Sequence, residues 1–424
     1  MLQEGNLSSG WQPGLSGRGR LPSYSHVVPS VPVVLPQCHR AWVEIDLTAL
    51  RHNVRQVRSL LAPKTQLMAI VKADAYGHGA VLVAKTVLQA GATWLGVATV
   101  PEGIELREAG ITAPILVLGA PNTAEQVQAI AYWHLQPTLS TPKQALICAE
   151  TLSTLAQPDP LPVHLMLDTG MSRQGAPWPE AATFVELVRR LPNLRLVAVY
   201  SHLATADDPD PTILRLQHHR FEQAIATLQA NGFIPPMLHL ANSAATLSDR
   251  RLHYDMVRTG LALYGLYPAP HFQPGATGPH TLPAVSLKPV LQVKARITQV
   301  KTIAAGTGVS YGYQFVADRD LPIAVVGIGY ADGVPRNLSN RMQVLIRGQR
   351  VPQIGAITMD QLMLDVSSLP DVQVGEVVTL LGHDGTEAIT ADDWATLLGT
   401  ISWEILCGFK HRLPRVAIPG DRIR

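Results

Sequence analysis

The chain has 424 residues, 46% of them hydrophobic and 16% charged, with a formal net charge of +2 at pH 7. Such a length means more than one domain, or one large barrel plus a second unit, with apolar residues enough for a sizeable core. The near-neutral balance and the absence of a long basic stretch give no reason to expect nucleic acid or a membrane surface as partner. No run approaches the roughly 20 apolar residues of a membrane helix. Cys38, Cys148 and Cys407 are scattered, so they form neither a disulfide framework nor a metal-ligand spacing. Reduced thiols in a cytoplasmic protein are the simplest reading.

Taken in chain order, residues 1–38 come first. "NLSSGWQPGLSGRGR" and the residues after it are rich in Ser, Gly and Pro, with no apolar period and no signal-peptide core. A disordered tail is expected there, because the segment cannot bury enough apolar surface to offset ordering entropy. From Met68 to Leu266 the chain carries eight short apolar runs: "MAIVKA", "WLGVATV", "PILVLG", "LQPTLS", "PVHLMLD", "LRLVAVYSHL", "MLHLAN" and "DMVRTGLALYG". Stretches such as "AVLVAKTVLQAGA" and "AATFVELVRRL" separate them, with apolar residues at three- and four-residue spacing and several closing glycines. Eight strand–helix units predict a closed parallel (β/α)8 barrel of the TIM type over residues 39–275. An open doubly wound sheet is the alternative on periodicity alone. "HFQPGATGPHTLPA" breaks the pattern with Pro and Gly. Residues 276–424 then alternate or are β-branched, which predicts a mostly antiparallel β domain. Within it "TADDWATLLG" predicts a helix that opens at a threonine cap.

In a barrel of this kind the C-terminal strand ends face the active site. Lys72 and Tyr76 come after the first strand, Asp168 and Arg173 after the fifth, and His202 after the sixth. His239, Asn242 and Ser243 end the seventh, while Arg258 and Gly260 lie on the eighth. A lysine beside apolar residues is partly desolvated, which lowers its pKa from about 10.4. A neutral amine can form an imine with an aldehyde. Tyr76, Ser243 and the Gly260 amide can donate to a phosphate, and small residues let the backbone approach an anion. An imine lysine with phosphate donors suggests pyridoxal 5'-phosphate. Arg258 then matters, because arginine cannot give up its proton and would leave the pyridine nitrogen unprotonated, a weaker electron sink.

Each residue also has a plainer reading. His202 and His239 can be satisfied core histidines, Arg173 and Arg258 structural ion pairs, and Asp168 a loop cap. Taken alone, Tyr311 in "GTGVSYGY" reads as a hairpin turn. "QHHRFE" around His218 reads as a solvated helix face, not a metal site. "GTGVSYG" does not lead from a strand into a helix, so it is not a nucleotide loop.

The motifs in combination resemble the alanine racemase family, fold type III pyridoxal-phosphate enzymes. "VKADAYGHG", "DTGMSRQG", "SHLATAD", "HLANSAA", "VRTGLALYG", "VSYG", "GIGYADG", "ITMDQ", "TISWEILC" and "RLPRV" stand in the family's order over about residues 41–418. The resemblance implies that Lys72 carries the cofactor as an aldimine and is one of two bases. It implies that Tyr311 is the other, reaching the site from the partner subunit of a homodimer. Arg173 would hold the substrate carboxylate and the cofactor's ring oxygen. His202 and Arg258 would form the network under the ring, and Tyr76, Ser243, Gly260 and Leu261 would contact the phosphate. Met359 and Asp360, from the partner, would wall the substrate carboxylate, and Tyr330 would line the access corridor. The implied activity is interconversion of L- and D-alanine, supplying D-alanine for peptidoglycan, in the cytoplasm and without a metal.

Two positions depart from the family pattern. Met166 stands where a carbamylated lysine is frequent, so no carbamate is expected and Arg173 must be positioned otherwise. Trp403 stands where the family has a tyrosine at the phosphate and the entrance. Its indole N–H can still donate, but the ring is larger. Thr259 replaces a frequent proline. A racemase of other specificity, a non-catalytic cofactor carrier and a decarboxylase of the same fold class are the rival readings; Tyr311 speaks against the carrier, which needs no second base.

Overall fold

Alternation of short apolar strands with amphipathic helices builds the first half of the molecule as the sequence predicts. A computed structural model describes residues 39–155, 159–276 and 281–418; the tail expected over residues 1–38 lies outside them. The described chain starts with β1 (Ala41–Asp46) and then runs through β2 (Gln66–Ile70), β3 (Trp94–Val97), β4 (Ile115–Val117), β5 (Gln136–Leu139), β6 (Leu161–Asp168), the two-residue β7 (Ala176–Pro177), β8 (Leu194–Tyr200), β9 (Leu238–His239) and β10 (Met256–Thr259). Strands β2 to β6 and β8 to β10 pair in parallel, β10 returns to β2, and β5 pairs with β6, so the sheet closes. The eight members are the eight apolar runs of the sequence.

Helix starts in the barrel carry their own stop–start signals. Thr99 with Glu102, and Thr141 with Gln144, form reciprocal capping boxes ahead of helices Val100–Glu108 and Pro142–Ser153. Alternate strand residues face opposite sides. Leu67, Ala69, Leu95, Val97, Ile115, Val117, Leu165 and Leu167 join the helices in the main core. The other set fills the barrel. One half of that filling is apolar, a cluster of Met68, Ile70, Trp94, Leu116 and Met256. The other half is polar: Thr138, His164, His239 and Arg258 are all buried. A polar barrel interior must be internally satisfied, and that requirement shapes the site at the barrel mouth.

The second sheet is built mostly from antiparallel strands: β11 (Leu291–Ile303), β12 (Leu321–Val326), β13 (Gln343–Ile346), β14 (Gln349–Ile354), β15 (Leu362–Asp365), β16 (Val377–Asp384), β17 (Glu387–Ile389) and β18 (Arg415–Ile418). Their order is β17-β16-β13-β14-β15-β12-β11-β1-β18. The predicted helix spans Ala391–Leu398 and starts at the Thr390 cap. One strand is not foreseen by the sequence pattern. β1 lies ahead of the barrel in sequence but pairs antiparallel with β11 and parallel with β18, so the chain starts in the second sheet before it enters the barrel. The barrel and this sheet belong to one compact unit that begins at His39.

A buried carboxylate ties that start to the second sheet's loops. Asp332, with no exposed surface, accepts from Arg40 Nη1 at 2.9 Å and Nη2 at 2.6 Å, and from the Gly329 amide at 3.0 Å. Removing one partner of such a pair leaves a charge with nothing to offset its lost hydration. Asp332→Ala is expected to cost about 2–3 kcal/mol, the lower range for a buried pair because Arg40 keeps some contact with water. A fall in the thermal unfolding midpoint checks this; an unchanged midpoint would show the pair to be energetically idle.

Candidate active site

Strand β2 delivers Lys72 to the barrel mouth, and the backbone after it is unusual. Ala73, Asp74, Ala75 and Tyr76 all take left-handed conformations, with φ between 52° and 55°. Each such residue with a side chain costs roughly 1–2 kcal/mol, so the turn must be held from outside. Glu102 Oε1 accepts the Ala73 amide at 2.8 Å, while its Oε2 accepts the Ala98 and Thr99 amides at 2.6 and 3.1 Å. Asp74 Oδ1 accepts the Ala80 amide at 2.7 Å. The buried His78 faces the carbonyls of Ala75 and Tyr76 with Nδ1, at 2.9 and 3.0 Å. Carbonyls only accept, so Nδ1 carries the proton. Arg415 Nε donates to the Gly77 carbonyl at 2.9 Å. Gly77 itself has φ +81°, and a Cβ there would lie 2.5 Å from the Leu406 carbonyl oxygen, so only glycine fits under the helix Ser402–Gly408.

The turn opens into a cavity of about 600 Å³. It gathers Lys72, Tyr76, Arg173, His202, Ser243, Arg258, Gly260, Leu261 and Trp403. Burial and then the nearby Arg173 cation lower the Lys72 pKa, with Glu102 opposing them. Burial pushes the Tyr76 phenol up to about 12, so it stays a donor. Burial pulls Arg258 down to about 10, which leaves it charged at neutral pH. Burial and the Arg258 charge bring His202 down to about 3, so its ring is neutral. Arg258 donates from Nη2 to the Ser201 carbonyl at 2.8 Å and to His202 Nδ1 at 3.1 Å, and its guanidinium lies 5.0 Å over the Tyr200 ring. The amides of Gly260 and Ala262 point at Ser243 Oγ, at 3.1 and 3.3 Å. A Cβ on Gly260 would sit 2.7 Å from Tyr76 Oη. Ser243, Gly260 and Tyr76 therefore form a cradle of donors that any side chain at 260 would fill. Met166, buried, lines the same cavity, and Arg173 makes no hydrogen bond or ion pair among the described residues.

Four expected residues lie elsewhere. Tyr311, Tyr330, Met359 and Asp360 are exposed on loops of the second sheet, Tyr311 by 71%. Those loops are tied together: Ser310 Oγ donates to the Ala356 carbonyl, and the Tyr330 and Ala331 amides donate to the carbonyls of Thr358 and Met359. Asp360 accepts from Arg412 at 2.8 Å. Among the plainer readings, Asp168 does cap its loop, accepting the Gly170 and Ser172 amides. His218 sits beside Tyr254 Oη at 2.8 Å and Glu222 at 3.5 Å.

Several site residues escape a reading of the sequence. Glu102 is visible there only as half of a capping box; that its other oxygen braces the turn after Lys72 needs the fold. Cys407 lines the cavity, and the Lys72 cation acts on its thiol. If Arg173 is the strongest charge acting on Lys72, Arg173→Met must raise the Lys72 pKa and leave less neutral amine at a given pH. The rate at which an amine-directed electrophile labels Lys72, followed by mass spectrometry across pH, should then shift to higher pH. A shift to lower pH would remove Arg173 from this role.

Comparison with known proteins agrees with this arrangement. The family model described as "Alanine racemase, N-terminal domain" matches residues 45–268, and "Alanine racemase, C-terminal domain" matches residues 290–417. The alanine racemase of a Nostoc species is 69% identical over 379 residues, covering 89% of this chain and 96% of that protein. That of a Synechocystis species is 64% identical, covering 89% and 99%. Among solved structures, alanine racemase from Clostridium difficile superposes with a TM-score of 0.83 at 33% identity, over 90% of this chain and 96% of that one. Alanine racemase from Bacillus anthracis with bound L-Ala-P gives 0.82 at 36% identity, over 90% and 96%. With both domain models matched across its barrel and its second sheet, the chain belongs to the alanine racemase family.

Proposed function

We propose that this enzyme interconverts L- and D-alanine with pyridoxal 5'-phosphate, using Lys72 and Tyr311 as bases on opposite faces of the substrate. One observation carries the reading: a partly desolvated lysine shares a cavity with two guanidiniums, Arg258 held by hydrogen bonds and Arg173 without a partner among the described residues, and with hydroxyl donors suited to a phosphate. The donor set fits the group. Tyr76 Oη suits a phosphate, and so does Ser243 Oγ, whose hydrogen is free to donate while its lone pairs accept the Gly260 and Ala262 amides; Arg258 can donate to a ring nitrogen without surrendering its proton. Trp403 takes the place of the phosphate tyrosine of the family and offers an indole donor.

When bound, pyridoxal phosphate supplies the electron sink that makes an amino acid's Cα–H acidic. The protein does the rest. Arg173 holds the substrate carboxylate and keeps Cα over the Lys72 amine. Lys72 Nζ removes or returns the proton on one face. Tyr311 Oη does so on the other, and Met359 and Asp360 wall the carboxylate, while Tyr330 lines the corridor. Tyr311 is exposed and does not line the cavity of its own chain, so in this reading these loops enter the cavity of a second copy, and a homodimer is the working form. Inversion needs bases on both sides of a planar centre, which a lone lysine does not provide. No described helix is long and apolar enough to cross a membrane, and a cytoplasmic enzyme feeding D-alanine to peptidoglycan is the role we assign.

The test is exchange of the alanine Cα proton in heavy water, measured together with formation of the mirror-image amino acid. Wild type should do both. Lys72→Ala should lose both, and Tyr311→Phe should slow the two directions unequally, by roughly 10²–10⁴-fold in the more affected one. Cofactor binding without exchange or racemisation of alanine would sink the assignment, and a panel of other amino acids would then separate another specificity from a carrier.

A further inference from the structure

Behind Arg258 the polar half of the barrel filling holds a line of groups that the proposed reaction does not use, two buried histidines and the half-buried Gln136. Arg258 Nη1 lies 2.9 Å from His239 Nδ1. His239 Nε2 lies 3.1 Å from His164 Nδ1, and His164 Nε2 lies 3.0 Å from Gln136 Oε1. Neither His164 nor Gln136 lines the cavity. They sit on neighbouring strands β6 and β5, Gln136 at the strand start, away from the barrel mouth.

Chemistry fixes the direction of this line. Arginine has no acceptor, so Arg258 donates and His239 Nδ1 must be bare. Both histidines are fully buried and neutral: burial and the Arg258 charge hold His164 down to about 3 and His239 well below its usual range. A neutral ring with bare Nδ1 has its proton on Nε2, so His239 donates to His164 Nδ1. The same step puts the His164 proton on Nε2, and only the oxygen of the Gln136 amide can receive it. The rings have little freedom to turn. Tyr200 stacks on His239 at 4.4 Å and 10°, and Trp94 meets His164 edge-on at 5.5 Å.

The line also decides how Arg258 faces the cavity. Its Nη2 already serves Ser201 O, His202 Nδ1 and Leu240 O, more acceptors than it has hydrogens. One Nη1 hydrogen goes to His239. The other Nη1 hydrogen and the Nε hydrogen remain for a ligand. In the opposite tautomer His239 would aim an N–H at the guanidinium, and the arginine would have to turn away.

We propose that Gln136 and His164 are positioning residues, which fix the His239 tautomer and thereby the donor that Arg258 presents to the cofactor ring. The inference rests on the proposed pyridoxal-phosphate function, but its first readout does not. In full-length protein with histidine rings labelled with ¹⁵N, with and without pyridoxal phosphate, His164 and His239 should both be neutral Nε2–H forms from mildly acid to alkaline pH. Gln136→Leu removes the acceptor at similar size. It should put part of His164 and His239 into the Nδ1–H form, move the absorption maximum of the bound cofactor, and lower kcat about tenfold with the alanine KM within about twofold. Gln136→Glu keeps the acceptor, so it should keep both tautomers and most of kcat. An Nδ1–H or doubly protonated ring in wild type overturns the proposal. So does Gln136→Leu with tautomers, absorption and kcat all unchanged, or Gln136→Glu with the tautomers lost. If Gln136→Leu does not fold, the wild-type and Gln136→Glu spectra decide alone. Correct tautomers in a protein that fails to racemise alanine would instead overturn the proposed function and leave the line intact.

Discussion

Everything at the site depends on a backbone reversal that L-amino acids resist. Four successive left-handed residues directly after Lys72 cost on the order of 4–8 kcal/mol together, an appreciable share of what keeps a domain folded. The reversal persists because the contacts around it come from separate parts of the chain. Glu102 arrives from the next strand–helix unit of the barrel, while Arg415 and the Leu406 carbonyl arrive from the chain's last segments. Barrel and second sheet therefore cooperate in aiming one side chain. A barrel cut before residue 290 would lose the Arg415 bond to Gly77 and the helix that covers it, and the lysine would lose its direction with them.

The same burial acts with opposite sign on the groups around the cavity, which is what gives it a definite charge. Removing water disfavours whichever form is ionised. Lysine and histidine therefore lean toward their neutral forms, and tyrosine holds its proton. Arg258, pulled down to about 10, still keeps its charge at neutral pH. Phenol and hydroxyl donors, neutral rings and two guanidiniums line the cavity beside Lys72, against the single lining carboxylate of Asp207, so it favours ligands that bring negative charge. In the proposed reaction both a phosphate and a substrate carboxylate do so. Met166 adds an apolar side chain to the same lining.

Periodicity is a good guide wherever burial alone decides structure. All eight barrel strands appear where apolar runs alternate with helical stretches, and the antiparallel character of the second half appears as alternation. β1 escapes it because "AWVEID" stands before the first apolar run with no turn between it and the helix it feeds, and its partners, β11 and β18, lie some 250 and 370 residues away. The left-handed turn escapes it for a local reason. Left-handed residues are normally Gly, Asn or Asp, and "ADAY" has a single aspartate. His164 stands in "PVHLMLD", which reads as a fully apolar strand, and Gln136 opens a strand with no other polar residue but Thr138. Only closure of the sheet brings the two side chains toward His239. The residues that line the cavity are legible because strand ends mark a barrel's mouth; those that act from behind them are not, since their partners are fixed by three dimensions alone.

In the proposed reaction, the placement of Tyr311 follows from what inversion requires. A barrel mouth surrounds a flat ligand from below and from the sides, and its strand ends supply groups such as Lys72 on one face. The opposite face looks outward, so a base there has to descend from above the mouth. Among the described residues, Tyr76 is the one barrel-loop tyrosine that lines the cavity, and it sits beside Gly260 on the floor with the phosphate donors. Tyr311 instead stands on a loop of the second sheet, with Ser310, Gly312 and Tyr313 in left-handed conformations and Ser310 bonded to the Ala356 carbonyl. Tyr313, Met359 and Tyr330 are exposed near it. A bulky aromatic held out on a braced turn, beside other exposed apolar side chains, is the signature of a surface made to be covered. Covering it with a second copy would bring the missing face to each cavity at once, and would remove this apolar patch from water in the same step. In that arrangement association and catalysis would be one requirement, because in the proposed reaction a subunit alone would have a base on only one side of its substrate.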